Sequence, residues 1–211
     1  MRLLLARHAQ TAWSREDRFC GRTEVPLSVV GEAQAERLAA RLRDSGAVAL
    51  YTSPAARALA TAAIVGQATR LTPRALPDFR EVDFGRWEGL SRAEVRVRDA
   101  DVYQAWLADP TQSPPPDGEP VAAASRRVLD AVGHLAREHA RSTVVVIGHR
   151  TLTRILLCAL LGAPLSCYRR LDQSEACLNV VEVEQESAML RLLNDTSHLV
   201  ALEERNREGG S

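Results

Sequence analysis

The stretch Leu3–Thr11, LLLARHAQT, decides the fold. Leu3, Leu4 and Leu5 form a short apolar run of the kind that makes a buried strand. The run stops at Arg7-His8, a guanidinium beside an imidazole. In open α/β sheets, ligands bind outside the carboxyl ends of strands, so this pair stands where an anion-binding reactive site is expected. The pattern returns at Thr143–Ile147, TVVVI, which is β-branched throughout and long enough to be buried on both faces. It too ends in a histidine, at Gly148-His149.

Working outward, the first strand is expected over 2–6, followed by a polar loop over 7–26. Ser28 offers a helix cap, and Ala33, Leu38, Ala39 and Leu42 recur at helical spacing, with Gly46 fitting the helix end. Val48 to Tyr51 reads as a second strand. Ser53-Pro54 is a helix start, and that helix runs to about Gln67. A weaker strand lies near Leu71 to Leu76, where Pro73 confines it to an edge. Asp78 to Leu90, DFREVDFGRWEGL, reads as a loop. Short helices follow over 91–98 and 101–107, and then an irregular segment, 109–120, with five of the ten prolines. Val121, Ala124, Val128, Val132 and Leu135 mark a long amphipathic helix. A helix over 151–161 and a terminal hairpin, 177–184 with 188–193, complete the pattern.

Strands alternating with helices predict an α/β fold: a three-layer α/β/α sandwich with a mostly parallel central sheet and one antiparallel edge strand. Residues 1–202 are expected to form a single domain in which 78–120 is a lid or cap insertion, and 203–211 a disordered tail.

The chain has 211 residues, 45% of them hydrophobic and 26% charged, as in soluble globular proteins. Basic and acidic residues number 27 each. Zero net charge and nine aromatic residues argue against nucleic acid as a partner. Every basic residue is Arg; with no Lys, Schiff-base and phosphate-loop lysine chemistry is excluded. Cys20, Cys158, Cys167 and Cys177 lack metal or redox spacing, which suits a reduced, cytoplasmic setting. The amino-terminal apolar run is too short for a signal peptide, and no run approaches the roughly 20 residues that span a membrane.

Four polar pieces fall where strands give way to loop or helix: Arg7-His8, Arg57, Glu81 and His149. Arg forks bind phosphate oxygens, His can serve as nucleophile or donor, and Glu can shuttle a proton. Together they suit phosphoryl transfer.

Here the sequence resembles the histidine phosphatase superfamily, also called phosphoglycerate-mutase-like. Arg7-His8-Ala9 matches its Arg-His-Gly signature with Ala for Gly. GRTEVPLSVVGEAQA (21–35), TSPAARALATA (52–62), REVDFGRWEGL (80–90), IGHRTLTRILL (147–157) and LNDTSHL (193–199) resemble further blocks of that family, in order, over nearly the whole chain. The resemblance implies that His8 attacks phosphorus and becomes a phosphohistidine. Its other ring nitrogen would be held by an acceptor such as a backbone carbonyl. Arg7, Arg57 and His149 would surround the transferring group, and Glu81 would move the proton. Ser14 and Gly21 join Arg7, Arg57 and His149 as phosphate- or substrate-binding residues. No metal and no cofactor are called for.

Three positions depart from the family pattern. Ala9 adds a methyl group near the site. Ser14 stands where Asn is frequent. Arg150 replaces the usual Gly after the second His, and either turns outward or adds a cation at the substrate mouth. The short segment between Glu81 and the long helix resembles the phosphatase branch, so a phosphatase of small phosphomonoesters is expected. The alternatives are a 2,3-bisphosphoglycerate-dependent phosphoglycerate mutase and a non-catalytic phospholigand-binding module. Trp87 and Trp106 are either core or substrate contacts, and His134 and His139 are expected to be solvated. An exposed terminal strand could pair two chains into a homodimer.

Overall fold

The computed structural model describes residues 1–184, 187–200 and 202. The expected tail, 203–211, lies outside the described residues. The chain begins with β1 (Arg2–Arg7), a four-residue helix α1 (Ala12–Arg15), α2 (Val29–Leu42), β2 (Ala47–Thr52), α3 (Ala56–Thr69) and β3 (Pro73–Ala75). Next come α4 (Arg92–Arg98), α5 (Ala100–Ala108), the long α6 (Val121–Glu138), β4 (Thr143–Gly148) and α7 (Arg150–Leu160). The strands β5 (Leu178–Val183) and β6 (Ala188–Asp195) follow.

The six strands form one sheet in the order β3-β2-β4-β1-β5-β6. Neighbours from β3 to β1 are parallel, and β5 and β6 add an antiparallel edge pair. Side chains of a strand alternate between faces, and here both faces are covered. Leu3, Leu5, Val144 and Val146 point into one apolar core with Val128, Val132 and Leu135 of α6 and Ile155 of α7. Leu4, Ala6, Val145 and Ile147 point into a second core with Leu38 and Leu42 of α2 and Ala58, Ala62 and Val65 of α3. That is the expected three-layer sandwich. The central strands carry apolar residues on both faces because neither face meets water.

The sequence misplaced several local features. The polar loop after β1 contains α1, because Thr11 and Ser14 make a capping box: each side chain accepts from the other's backbone N–H. The helix start at Ser53-Pro54 is two residues early. Ser53 Oγ accepts from Ala55 N at 3.2 Å, so the hydroxyl shapes the turn and Ala55 is the cap position. Pro73 does lie on an edge strand, with β2 on its one paired side. His139 is half-buried rather than solvated and bonds the Tyr51 hydroxyl at 3.0 Å.

Residues after β3, together with Phe19, extend the first of the two cores with an aromatic pack. Phe19, Trp87, Tyr103 and Trp106 are all buried, with Phe19–Trp87 ring centroids 5.3 Å apart and Trp87–Trp106 5.6 Å apart. Trp87 Nε1 donates to Asp99 Oδ2 at 2.8 Å. Both tryptophans are therefore packing groups. They fix the segment around 85–106 against the loop that follows α1.

Candidate active site

β1 and β4 are adjacent and parallel, with Arg7 opposite Gly148. Their carboxyl ends therefore deliver His8 and His149 to one place. His8 N donates to Gly148 O at 3.0 Å, and the two imidazoles meet edge to face with centroids 5.2 Å apart. Both are buried, His149 fully. His8 Nδ1 lies 2.8 Å from the carbonyl oxygen of Ala9. A carbonyl only accepts, so Nδ1 carries the proton and Nε2 keeps its lone pair. Burial, then the Arg57 and Arg7 guanidiniums, hold the His8 imidazole well below its ordinary range; the Ala9 bond opposes them. Burial, then Arg57, His8, Arg7 and Arg127, do the same to His149. Both rings are neutral at neutral pH.

Arg7 is held by the segment that leads into β5, the strand beside β1. Its Nη1 donates to Gln173 O at 2.8 Å and its Nη2 pairs with Glu175 Oε1 at 3.2 Å. Gln173 is fixed in turn by a reciprocal amide pair with Asn179, at 2.7 and 2.8 Å. Asn179 Nδ2 also reaches Leu5 O at 3.0 Å, which ties the pair back to β1. Arg57, on the first turn of α3, is almost fully buried. Its Nη1 donates to Thr23 O at 3.0 Å, and its Nη2 to Cys20 O and Gly21 O at 3.1 and 3.0 Å. In each arginine the Nε is buried without a partner among the described residues, as are both ring nitrogens of His149.

Glu81 arrives from the loop after β3. Its Oε1 accepts from Val82 N and Leu152 N, both at 2.9 Å, and its Oε2 from Thr151 N at 2.9 Å. His149 is the cap residue of α7 but provides no side-chain cap. The Glu81 carboxylate fills that role from elsewhere in the chain, where the helix dipole also favours an anion. Arg127 of α6 steadies the segment. It chelates Glu119 at 2.7 and 2.8 Å and donates to Asp78 O at 2.6 Å and Glu81 O at 3.4 Å.

His8, Arg7, Arg57, Glu81 and Ser14 all line one cleft, with Thr11, Phe19, Arg92, Arg150 and Thr151. His149 is not among the lining side chains; its buried ring packs edge to face against His8. Gly21 takes a different part from the expected phosphate contact. Its N–H donates to Glu88 Oε1 at 2.8 Å and its carbonyl accepts from Arg57. A Cβ there would collide with the Val82 carbonyl, so the glycine is required by close backbone approach. Ser14 lies at the cleft, but its hydroxyl donates to Thr11 O at 3.0 Å. Of the departures, Ala9 is buried and its N–H donates to Thr61 Oγ1 at 3.1 Å. Arg150 faces into the cleft.

Sequence reasoning missed Glu88. Its carboxylate accepts from Gly21 N, Arg22 N, Thr23 N and the Thr23 hydroxyl, at 2.8 to 3.4 Å. It thereby aims the carbonyls of Cys20, Gly21 and Thr23 at Arg57. The residue lies inside the REVDFGRWEGL block, but a charge in a loop gives no sign that it organises backbone.

The comparisons with known proteins agree with this geometry. The profile of the histidine phosphatase superfamily (branch 1) matches residues 3–196. A bifunctional protein of Mycobacterium tuberculosis is 36% identical over 94% of this chain; the chain spans 55% of that protein's length. Phosphoserine phosphatase 1 of Hydrogenobacter thermophilus is 30% identical, with 94% of each chain covered. Among solved structures, a mycobacterial glucosyl-3-phosphoglycerate phosphatase complexed with VO3 superposes with a TM-score of 0.86 at 27% identity, covering 92% of this chain and 99% of its own. The chain belongs to the histidine phosphatase superfamily, branch 1.

Proposed function

We propose that this chain is a phosphatase of small phosphomonoesters that works through a phosphohistidine on His8, without a metal. One observation carries the reading. The neutral imidazole of His8, with Nε2 free to attack, lines one cleft with the guanidiniums of Arg7 and Arg57 and the carboxyl group of Glu81. Among the described residues the Nε of both arginines and both ring nitrogens of His149 have no partner. Two cations beside an unprotonated nitrogen fit a ligand that brings anionic acceptor oxygens, and a phosphoryl group does so.

In the first step the lone pair on His8 Nε2 forms the N–P bond as the ester P–O bond breaks. The departing oxygen takes a proton by way of Glu81 Oε2, which has one N–H partner and a lone pair left to carry it, and the next step returns that proton to Glu81. Arg7, Arg57 and the N–H of neutral His149 stabilise the charge spread over the equatorial oxygens. In the second step water attacks phosphorus and gives its proton to the Glu81 carboxylate. The N–P bond breaks, its electron pair returns to Nε2, and inorganic phosphate leaves. The aromatic pack within 78–120 acts as the cap over this cleft.

The names of the relatives support small phosphorylated metabolites as substrates. The mutase alternative requires 2,3-bisphosphoglycerate for turnover; added bisphosphoglycerate that raised mutase activity with little phosphate released would establish it instead. The cytoplasm is the proposed location, supported by four unpaired cysteines and by the lack, among the described residues, of a helix able to cross a membrane. β6, an edge strand, is the proposed contact of a homodimer; a scattering mass of one chain would exclude it. Steady-state hydrolysis of para-nitrophenyl phosphate in EDTA tests the whole reading. Turnover lost in His8→Ala supports it, and turnover retained there refutes it.

A further inference from the structure

Four charged side chains at the cleft are left over by the phosphoryl chemistry; Arg18 is taken up by Glu16 and Glu94, which leaves Arg150, Arg92 and Asp17. Arg150 opens α7 directly after His149, and Arg92 opens α4. Asp17 stands between them, in the turn after α1, with a left-handed φ of 51°. Its Oδ2 lies 2.7 Å from Arg92 Nε and its Oδ1 3.7 Å from Arg150 Nη1, both as ion pairs. One carboxylate thus serves two guanidiniums, one oxygen to each.

Positive charge is in excess here. Arg150 is held below its ordinary range by burial first, then by Arg7 and Arg92; Asp17 and Asp172 oppose them. Its Nε is buried without a partner among the described residues. Arg92 is fixed by an aromatic wall: its Cζ lies 5.0 Å from the Phe19 ring centroid and 5.8 Å from that of Trp106. A simple surface ion pair needs one cation and leaves no buried donor open. Two oriented forks in one cleft with His8 are better explained as a receptor.

We propose that Arg92 and Arg150 form a second anion subsite, and that the substrate is a phosphomonoester carrying a carboxylate that takes the place of Asp17. The inference rests on the phosphatase reading above. A carboxylate is favoured over a second phosphate because a carboxylate already stands between the two guanidiniums, one oxygen paired with each at 2.7 and 3.7 Å. Asp17 is an internal stand-in: it keeps the forks aligned, and its exposed turn lets it yield to a ligand. Arg150 is then a specificity-determining residue, and its presence where the family usually has Gly gains a reason.

The test is competition against hydrolysis of para-nitrophenyl phosphate. The competitors are 3-phosphoglycerate and glycerol 1-phosphate, which differ in a carboxylate against a hydroxymethyl group. In wild type the first should compete roughly tenfold or more better, the size of one charge-assisted pair. Arg150→Ala and the stem-preserving Arg150→Gln should bring the ratio of competition constants to within about threefold of one. Asp17→Asn, which removes the internal competitor, should raise the ratio. A ratio is read because it is insensitive to a general loss of active protein. Equal competition in wild type, or a ratio unchanged in both Arg150 variants, overturns the subsite and leaves the phosphatase reading intact. A wild type that does not hydrolyse para-nitrophenyl phosphate overturns that reading, and the subsite with it.

Discussion

His8 and His149 meet edge to face, ring centroids 5.2 Å apart and planes inclined by 63°. Their strands are adjacent and in register, so sheet geometry alone fixes the pair. Two imidazoles this close and this buried, flanked by Arg7 and Arg57, do not both charge. Neutrality is what a nucleophile at Nε2 requires, and the Ala9 carbonyl selects the tautomer that exposes it.

The first prediction concerns those rings. Nitrogen-resolved NMR of the imidazoles should find His8 protonated at Nδ1 and both rings neutral well below pH 6.5. A His8 resonance titrating near 6.5, or a proton on Nε2, would contradict the assignment.

Stability should follow the same shifts. The unfolded chain takes up protons at both histidines as pH falls through about 6.5, while the folded chain resists. Stability is therefore full above that pH and declines below it, by up to about 1.4 kcal/mol per pH unit for each ring. Urea unfolding at pH 7.5 and 5.5 measures the decline, and His149→Gln should reduce it. An equal decline in that variant would mean that other groups carry the dependence.

Glu81 has two duties, and Glu81→Gln separates them. As proton donor its loss should slow alkyl phosphates much more than aryl phosphates, whose leaving groups need little help. As cap of α7 it accepts three backbone N–H groups, and an amide can face them with only one oxygen. Stability should fall by about 1–3 kcal/mol. Equal slowing of both ester classes would remove Glu81 from proton transfer.

Glu88→Ala should strip acceptors from three consecutive backbone N–H groups. The expected loss is about 2–3 kcal/mol in chemical denaturation. KM for a phosphomonoester should rise, because Arg57 is anchored on the carbonyls that Glu88 aims. Unchanged stability and KM would show that the 20–23 loop holds itself.

The sheet was legible in the sequence because LLLAR and TVVVI carry their burial in their composition. Arg7, His8, Arg57, Glu81 and His149 were legible because each polar residue interrupts or follows an apolar element. What the sequence did not show is how these groups are held. Glu88 reaches Gly21, 67 positions away, Arg127 reaches Asp78, 49 away, and Gln173 and Asn179 reach Arg7 and Leu5, 166 and 174 away; spacing along a chain carries no signal for that. The α1 turn was missed because its cap, Thr11 with Ser14, lies in a stretch with no apolar periodicity. Gly21 was expected to bind substrate; its contacts with Glu88 and Val82 give the glycine a structural reason that the sequence did not show.

The most direct test of the central claim is a quench, without acid, of protein mixed with a radiolabelled phosphomonoester in EDTA. The account predicts label on the wild-type protein that is stable to base, lost in acid and absent from His8→Ala. Phosphate release without labelled protein, or label persisting in His8→Ala, would contradict it.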